Sequence, residues 1–410
     1  MLARIDSLAS QEANAKLLSG IILIARGDHI LLQRAYGFEN WESLAPSSRA
    51  TRFGIGSITK VMTETLVALL VSEGRLDLDA PVTKYLGRFP TGPRGGAVTV
   101  RELLEHRAGV PHRVTNAEDE TQSLHASDIV ERVRATKLLF EPGTAELYSS
   151  AGFTCLARVI EVIEGKPFDA VLRDRIFRPA SMTSATDETG QTLMPHRAMP
   201  YRLGNSGKAV AVYSAPYQNL AFLAGAGSVY ATAEDLLHFV RALGSGTFGA
   251  AGRGQVSVDP GATWRSWYGR TNGYEGSVDF NPAADVTFVF LSNLRSASNW
   301  QLRERIRNVL LGRSASAIPR PPEVAPGFEA TDSFLGSYGD PTDPIVITAV
   351  DGHLFRDDSE FYPIAAGNYF MPASATVMRF RRTPDGGVDA MITVRPGGNE
   401  SVALRVPGHQ

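Results

Sequence analysis

The stretch Phe53 to Glu73, FGIGSITKVMTETLVALLVSE, places Ser57 three residues before Lys60 at the start of a strongly apolar helix. Residues i and i+3 share one helix face, about 5–6 Å apart, so the amine can reach the hydroxyl without a loop to hold it. A serine hydroxyl is a weak nucleophile until a base activates it, and a lysine is such a base only where burial and neighbours lower its pKa. Ile58, Val61, Met62, Leu66, Leu69 and Leu70 make this helix apolar on nearly all sides, the pattern of a helix crossing an interior. The competing reading makes Ser57 a simple N-cap. Among Lys16, Lys60, Lys84, Lys137, Lys166 and Lys208, however, Lys60 alone has a serine three residues before it.

Composition narrows the remaining chemistry. With 410 residues, 43% hydrophobic and 20% charged, the chain can bury a large core and holds two or three domains. A formal charge of -2 and dispersed basic residues leave nucleic acid without an electrostatic footprint. Cys155 is the single cysteine and reads as core, which excludes an internal disulfide. No Gly-x-Ser-x-Gly elbow, phosphate loop or dinucleotide fingerprint is present, so no cofactor is expected. His106, His112 and His125 lack ligand spacing and predict no metal site; His106 reads as satisfying backbone groups in LLEHRAG. The amino-terminal MLARIDSLASQEANAKLL has no long apolar run, so a cytoplasmic location is expected as the chain stands, or a periplasmic or secreted one if a leader was removed. No run of about 18 apolar residues predicts a membrane span.

The order of elements predicts an α+β chain. Residues 3 to 17 read as an amphipathic helix, and residues 20–25 and 29–35 as a hairpin around Arg26-Gly27-Asp28. A mostly helical insert follows over about 75 to 215, with helices at 126–135 and 152–163. Strands return at 278–280 and 286–291, before a last helix over 299–311. This predicts an antiparallel sheet built from both chain ends, flanked by helices, with a cleft at its junction with the insert. Residues 1–312 form this first domain. Residues 313–329, rich in proline, alanine and serine, read as a linker. Residues 330–410 alternate short β-prone runs at 345–350, 369–371, 377–381 and 390–394 with turn signals at Asp351-Gly352 and Asp385-Gly386, predicting a small antiparallel barrel or sandwich.

Several segments together resemble the serine β-lactamase and penicillin-binding superfamily, especially its class C-like branch of esterases and D-amino-acid peptidases. FGIGSITK is similar to that family's nucleophile motif, and GRLDLDAPVTKYL, VTVRELLEHRAGVP, FEPGTAELYSSAGF, AGAGSVYATAEDLLHF and GYEGSVDFNPAADVTFVFLSN to the blocks that follow it. The likeness spans roughly residues 10 to 312 and implies a β-lactamase/transpeptidase-like fold. The C-terminal segment resembles the lipocalin-like barrel that some members carry. It is read as shaping substrate access, as mediating homo-oligomerisation, or as a stabilising appendage.

Carried over residue by residue, the resemblance makes Ser57 the nucleophile and Lys60 its base. Tyr148 falls where the family places a tyrosine that moves the proton between nucleophile and leaving group. Ser150 stands where an asparagine is usual, so an amide contact to substrate is lost. The third motif falls at Trp267-Tyr268-Gly269, whose residues are expected, with Ser150, to line the substrate site, and the amides of Ser57 and Arg270 are expected to form the oxyanion hole. β-Lactamases and peptidases of the superfamily usually begin this motif with lysine or histidine, some carboxylesterases with tryptophan. A cation there can pair with a substrate carboxylate, while an indole offers an apolar face and one donor. Arg270 is either a replacement cation or a solvated surface arginine.

The expectation is therefore a serine hydrolase that forms an acyl-enzyme on Ser57, with a small carboxylic ester as first choice of substrate. A D-amino-acid amidase or peptidase and a weak β-lactamase are the enzymatic alternatives, the appended domain favouring the peptidase. A penicillin-recognising protein that binds without turnover is the alternative of another class.

Overall fold

Two strands are almost free of solvent: Gly20–Arg26 (GIILIAR), exposed only at its last residue, and Val286–Ser292 (VTFVFLS), buried throughout. Such continuous apolar runs suit the middle of a sheet covered on both faces. They pair antiparallel, Ile22 opposite Phe290 and Leu23 opposite Val289. The sheet has five strands in the order Arg265–Arg270, Glu275–Asn281, Val286–Ser292, Gly20–Arg26, His29–Tyr36, all antiparallel. Both chain ends build it, as the sequence predicts, and the hairpin turn at Gly27-Asp28 uses a positive φ of 57° at Gly27. In this computed structural model the described residues are 1–191, 193–205, 210–257, 263–314, 332–341, 344–350, 353–356, 359–365, 368–371, 376–394 and 400–406.

The chain forms two compact units, one of Ser19–Tyr201 and Ser214–Leu294, the other of Met1–Leu18, Arg202–Tyr213 and Arg295–Gln410. In the first, the five-stranded sheet is covered by the helix Ala233–Ser245, while the helix Thr59–Ser72 contacts both Ser150–Glu164 and Gly249–Gln255. The Thr59–Ser72 helix buries nine of its residues, Lys60 among them, and its interior threonines are satisfied: Thr65 donates to the Val61 carbonyl and Thr63 to that of Gly225. The segment expected to be mostly helical holds the helices Thr83–Leu86, Val100–Leu104, Ala126–Arg134, Ser150–Glu164 and Phe168–Leu172 joined by long loops. It ends in the paired strands Tyr201–Asn205 and Val210–Ser214, of which residues Arg202–Tyr213 belong to the second unit.

In the second unit the helix Leu2–Asn14 contacts the helix Ala297–Leu310. Its all-β part is an eight-stranded antiparallel meander, each strand pairing with the next from Gly336–Tyr338 to Glu400–Leu404. A bridge between Tyr338 and Arg405, flanked by Gly339 N–H to Leu404 O and Val406 N–H to Ser337 O, joins the first strand to the last at one point. Phe334, Tyr338, Tyr369 and Phe380 centre its core, with Phe334 stacked on Phe380 at 4.4 Å. The turn at Asp385-Gly386 is present, Gly386 at φ 88°. The expected linker, apart from its first residues, and the turn at Asp351-Gly352 lie outside the described residues.

Candidate active site

Ser57 sits in a single 3-10 turn, Gly56–Ile58, that runs directly into the helix Thr59–Ser72. In a 3-10 turn residues three apart eclipse one another. The Lys60 Nζ accordingly lies 3.2 Å from the Ser57 Oγ. It also donates to the Ala226 carbonyl at 2.8 Å and lies 3.3 Å from the Ser150 Oγ. Three oxygens thus fix the position of an amine that is only 5% exposed. Burial pulls its pKa down to about 7, the Glu64 carboxylate opposes that fall, and the Arg113 guanidinium adds to it. A lysine near neutrality is half deprotonated at physiological pH, which an ordinary surface lysine is not.

Tyr148 completes the trio by donating from its hydroxyl to the Ser57 Oγ at 2.7 Å. It precedes the helix Ser150–Glu164, whose cap holds it: Ser149 Oγ accepts from Gly152 N–H at 2.9 Å and donates to Pro111 O at 2.8 Å. The ring rests on His106 at 4.4 Å and near His112 at 5.4 Å, with Lys60 Nζ 4.9 Å from its centre. Loss of surrounding water raises its pKa above the ordinary phenol range, an effect the Ser57 hydrogen bond opposes.

His106 is held neutral, its pKa lowered to about 4 by burial and by the nearby charge of Lys60. Its Nδ1 therefore accepts the Ser149 N–H at 3.0 Å, and its carbonyl takes the Leu147 N–H. The reading of His106 as a satisfier of backbone groups within its own segment is thereby amended, since the groups it satisfies flank Tyr148. Its φ of 58° places it in the left-handed region, a conformation no sequence pattern announces.

The strand Arg265–Arg270 closes the other side. Side chains alternate along a strand. Arg265, Trp267 and Gly269 share one face and Tyr268 and Arg270 the other, in agreement with buried Trp267 and Gly269 and exposed Tyr268 and Arg270. Tyr268, expected to bind substrate, instead donates to the Glu275 carboxylate on the face away from Trp267. Arg270 shares that face, so its side chain does not take the place of the missing cation beside Trp267. Trp267 is 8% exposed, and its indole Nε1 is buried without a hydrogen-bond partner among the described residues.

Glycine is required at two contacts here. A Cβ on Gly269 would lie 1.9 Å from the Ile55 carbonyl oxygen and 2.9 Å from the Ser57 nitrogen. A Cβ on Gly56, whose φ is 52°, would lie 2.6 Å from the Arg270 nitrogen. The backbones of the nucleophile turn and the edge strand therefore touch, Ile55 to Ser57 against Gly269 and Arg270. Ser150, expected near substrate, is buried and spends its hydroxyl on Lys60.

Among the described residues no group of three or more His, Cys, Asp or Glu is placed to hold a metal, and no helix is long and apolar enough to cross a membrane. Cys155 is buried, its thiol pushed up to about 12 by burial. The sequence reading missed Glu64, Arg113 and the Ala226 carbonyl. The first two carry no motif, and the third is a backbone group from a distant loop.

Comparison with known proteins places this geometry in a lineage. The family model Beta-lactamase matches residues 5–311. PbpX of Bacillus subtilis is 27% identical over 251 residues, 61% of this chain and 61% of PbpX, so the chain spans under two thirds of that relative. The solved D-amino acid amidase from Ochrobactrum anthropi SV3 in complex with L-phenylalanine superposes with a TM-score of 0.65 at 21% identity, over 76% of this chain and 98% of the amidase. An octameric penicillin-binding protein homologue from Pyrococcus abyssi, also at 0.65 with 19% identity, covers 99% of this chain and 98% of its own, so the likeness in fold extends through the C-terminal strands. With three quarters of its length matching that family model, the chain belongs to the beta-lactamase family.

Proposed function

We propose that this chain is a carboxylesterase acting on small, uncharged esters through an acyl-enzyme on Ser57. The observation that carries the reading is the contact trio, Tyr148 Oη to Ser57 Oγ at 2.7 Å and Lys60 Nζ to the same oxygen at 3.2 Å. Neutral Lys60 takes the Ser57 proton as Oγ attacks the ester carbonyl, and the new oxyanion lies against the amides of Ser57 and Arg270. Collapse breaks the ester C–O bond, and the proton reaches the departing alkoxide through Tyr148. Water, deprotonated by the same pair, then adds to the acyl carbon and releases the acid and the Ser57 hydroxyl.

Substrate class is argued from Trp267. A substrate carboxylate laid beside a buried indole would lose its water and find no charge at position 267 to pair with, the Arg265 guanidinium over the ring being drawn to Glu64, a cost of several kcal/mol. A neutral acyl group meets the apolar face of the indole. The test compares turnover of p-nitrophenyl butyrate, a D-alanine p-nitroanilide and a chromogenic cephalosporin by wild type and Trp267→His. The reading expects the ester to lead in the wild type, and the variant to lose on the ester and gain on the anionic cephalosporin. Preference for the anilide would make the chain an amidase, and unchanged preference in the variant would remove Trp267 as the selector.

A further inference from the structure

Acyl transfer by Ser57, Lys60 and Tyr148 makes no use of Glu64, yet this carboxyl is partly buried one turn beyond Lys60 on the same helix. The i to i+4 spacing sets both side chains on one face. Two other elements meet it from the opposite side. Gln255, at the end of the helix Gly249–Gln255 that lies against the Thr59–Ser72 helix, faces the Glu64 carboxyl and favours its charged form. Arg265, the first residue of the edge strand, attracts it and lies over the Trp267 ring at 5.8 Å. Behind the lysine, walled by Trp267, there is thus a polar cluster that ends on a carboxylate.

We propose that Glu64 is a positioning residue for Lys60: its negative charge sets how readily the amine gives up a proton, and Arg265 helps to hold Glu64 in that charged form. The proposal rests on the reading of Lys60 as the base for Ser57. Facing Lys60 are the hydroxyls of Ser57, Tyr148 and Ser150, the Ala226 carbonyl, the Arg113 guanidinium and neutral His106. Facing Glu64 are Lys60, Gln255 and Arg265. Of the charges named around Lys60, Glu64 is the anion and Arg113 the cation, so the two act in opposite directions. Burial raises the proton affinity of Glu64 as it lowers that of Lys60, and each charge favours the other, so the pair titrates as a coupled unit. Without Glu64 the amine would lose its proton at a lower pH. The carboxylate therefore places the onset of activity near neutrality.

The test reads Ser57 directly and needs no knowledge of the substrate. A fluorophosphonate is attacked by Ser57 Oγ, the O–P bond forms as the P–F bond breaks, fluoride leaves, and the Ser57 proton passes to Lys60. The labelling rate, followed by intact mass from pH 5 to pH 9 on the full chain, gives a limb whose midpoint reports the base. Glu64→Gln is expected to move that midpoint down by about one pH unit, the scale of one nearby charge at an effective dielectric near 20. Arg265→Gln, which removes a support of the Glu64 carboxylate, is expected to move it down by less. Glu64→Asp, which keeps the charge but withdraws it by one methylene, serves if the glutamine variant does not fold, and is expected to move the midpoint down by less.

A midpoint unchanged or raised in the folded Glu64 variants overturns the proposal, as does an upward shift in Arg265→Gln. A structural role alone would lower amplitude or stability and leave the midpoint in place. Wild-type protein that takes no label on Ser57 at any pH would instead overturn the underlying reading of Ser57 and Lys60, and the proposal with it.

Discussion

Gly269 and Ile55 are in backbone contact: a methyl group on Gly269 would lie 1.9 Å from the Ile55 carbonyl oxygen. This contact sets the edge strand against the turn that carries Ser57. Gly269→Ala is therefore expected to push the strand away, separate the Ser57 and Arg270 amides, and lower kcat/KM about 100-fold or more, the usual cost of displacing a catalytic group by an ångström. Overpacking should also lower stability by about 1–3 kcal/mol. Steady-state kinetics alongside a thermal melt check both, and an Ala variant of wild-type activity would refute the contact's role.

Tyr148→Phe removes one hydroxyl and leaves the ring on His106. The variant should keep its melting temperature and lose about 10²- to 10⁴-fold in kcat/KM, the range of a lost proton-transfer group. Loss of stability without loss of rate would make Tyr148 a packing residue.

In the proposed mechanism Lys60 trades stability for activity. Its folded pKa of about 7 lies below the unfolded 10.5, so below about pH 7 the fold must hold a buried charge that the unfolded chain keeps in water. That cost fades as pH rises from 7 towards 10.5. Lys60→Met should abolish turnover and raise stability at pH 6 by several kcal/mol at roughly 1.36 kcal/mol per unit of pKa shift. Its advantage should shrink steadily towards pH 10. Denaturant unfolding at a series of pH values measures this. Wild-type kcat/KM should rise as pH passes about 7.

Asp187 behaves in the opposite sense. It is buried, accepts a hydrogen bond from the Ser228 hydroxyl, and has its pKa raised to about 7 by burial from an ordinary value of 3.8. Between these two values the unfolded chain has released a proton that the fold retains, so stability falls as pH climbs from about 4 to about 7. Asp187→Asn should flatten that decline, giving a protein more stable than wild type at pH 8 and little different at pH 4. A variant less stable than wild type at pH 8 would mean that the fold favours the Asp187 carboxylate, its pKa lowered and not raised.

Much of the fold was legible because the signals were local and periodic. The apolar runs of Gly20–Arg26 and Val286–Ser292 and the hairpin glycine announced the sheet, and the apolar helix after Ser57 announced the interior. Ser57, Lys60 and Tyr148 meet as expected, although Tyr148 is 91 residues from Ser57 in sequence. What stayed hidden depends on direction and on distant backbone. Tyr268 lies in the third motif, yet strand alternation turns it to Glu275. The Ala226 carbonyl that anchors Lys60 and the left-handed His106 behind Tyr148 have no signature in residue type.

The most direct test of the central claim is to trap the acyl-enzyme. Protein mixed with p-nitrophenyl butyrate is quenched in acid within the burst phase, digested and mapped by mass spectrometry. The account predicts one butyryl group on the peptide that contains Ser57, absent from Ser57→Ala, which should also have lost its turnover. A butyryl group on another residue, or undiminished ester cleavage by Ser57→Ala, would contradict it.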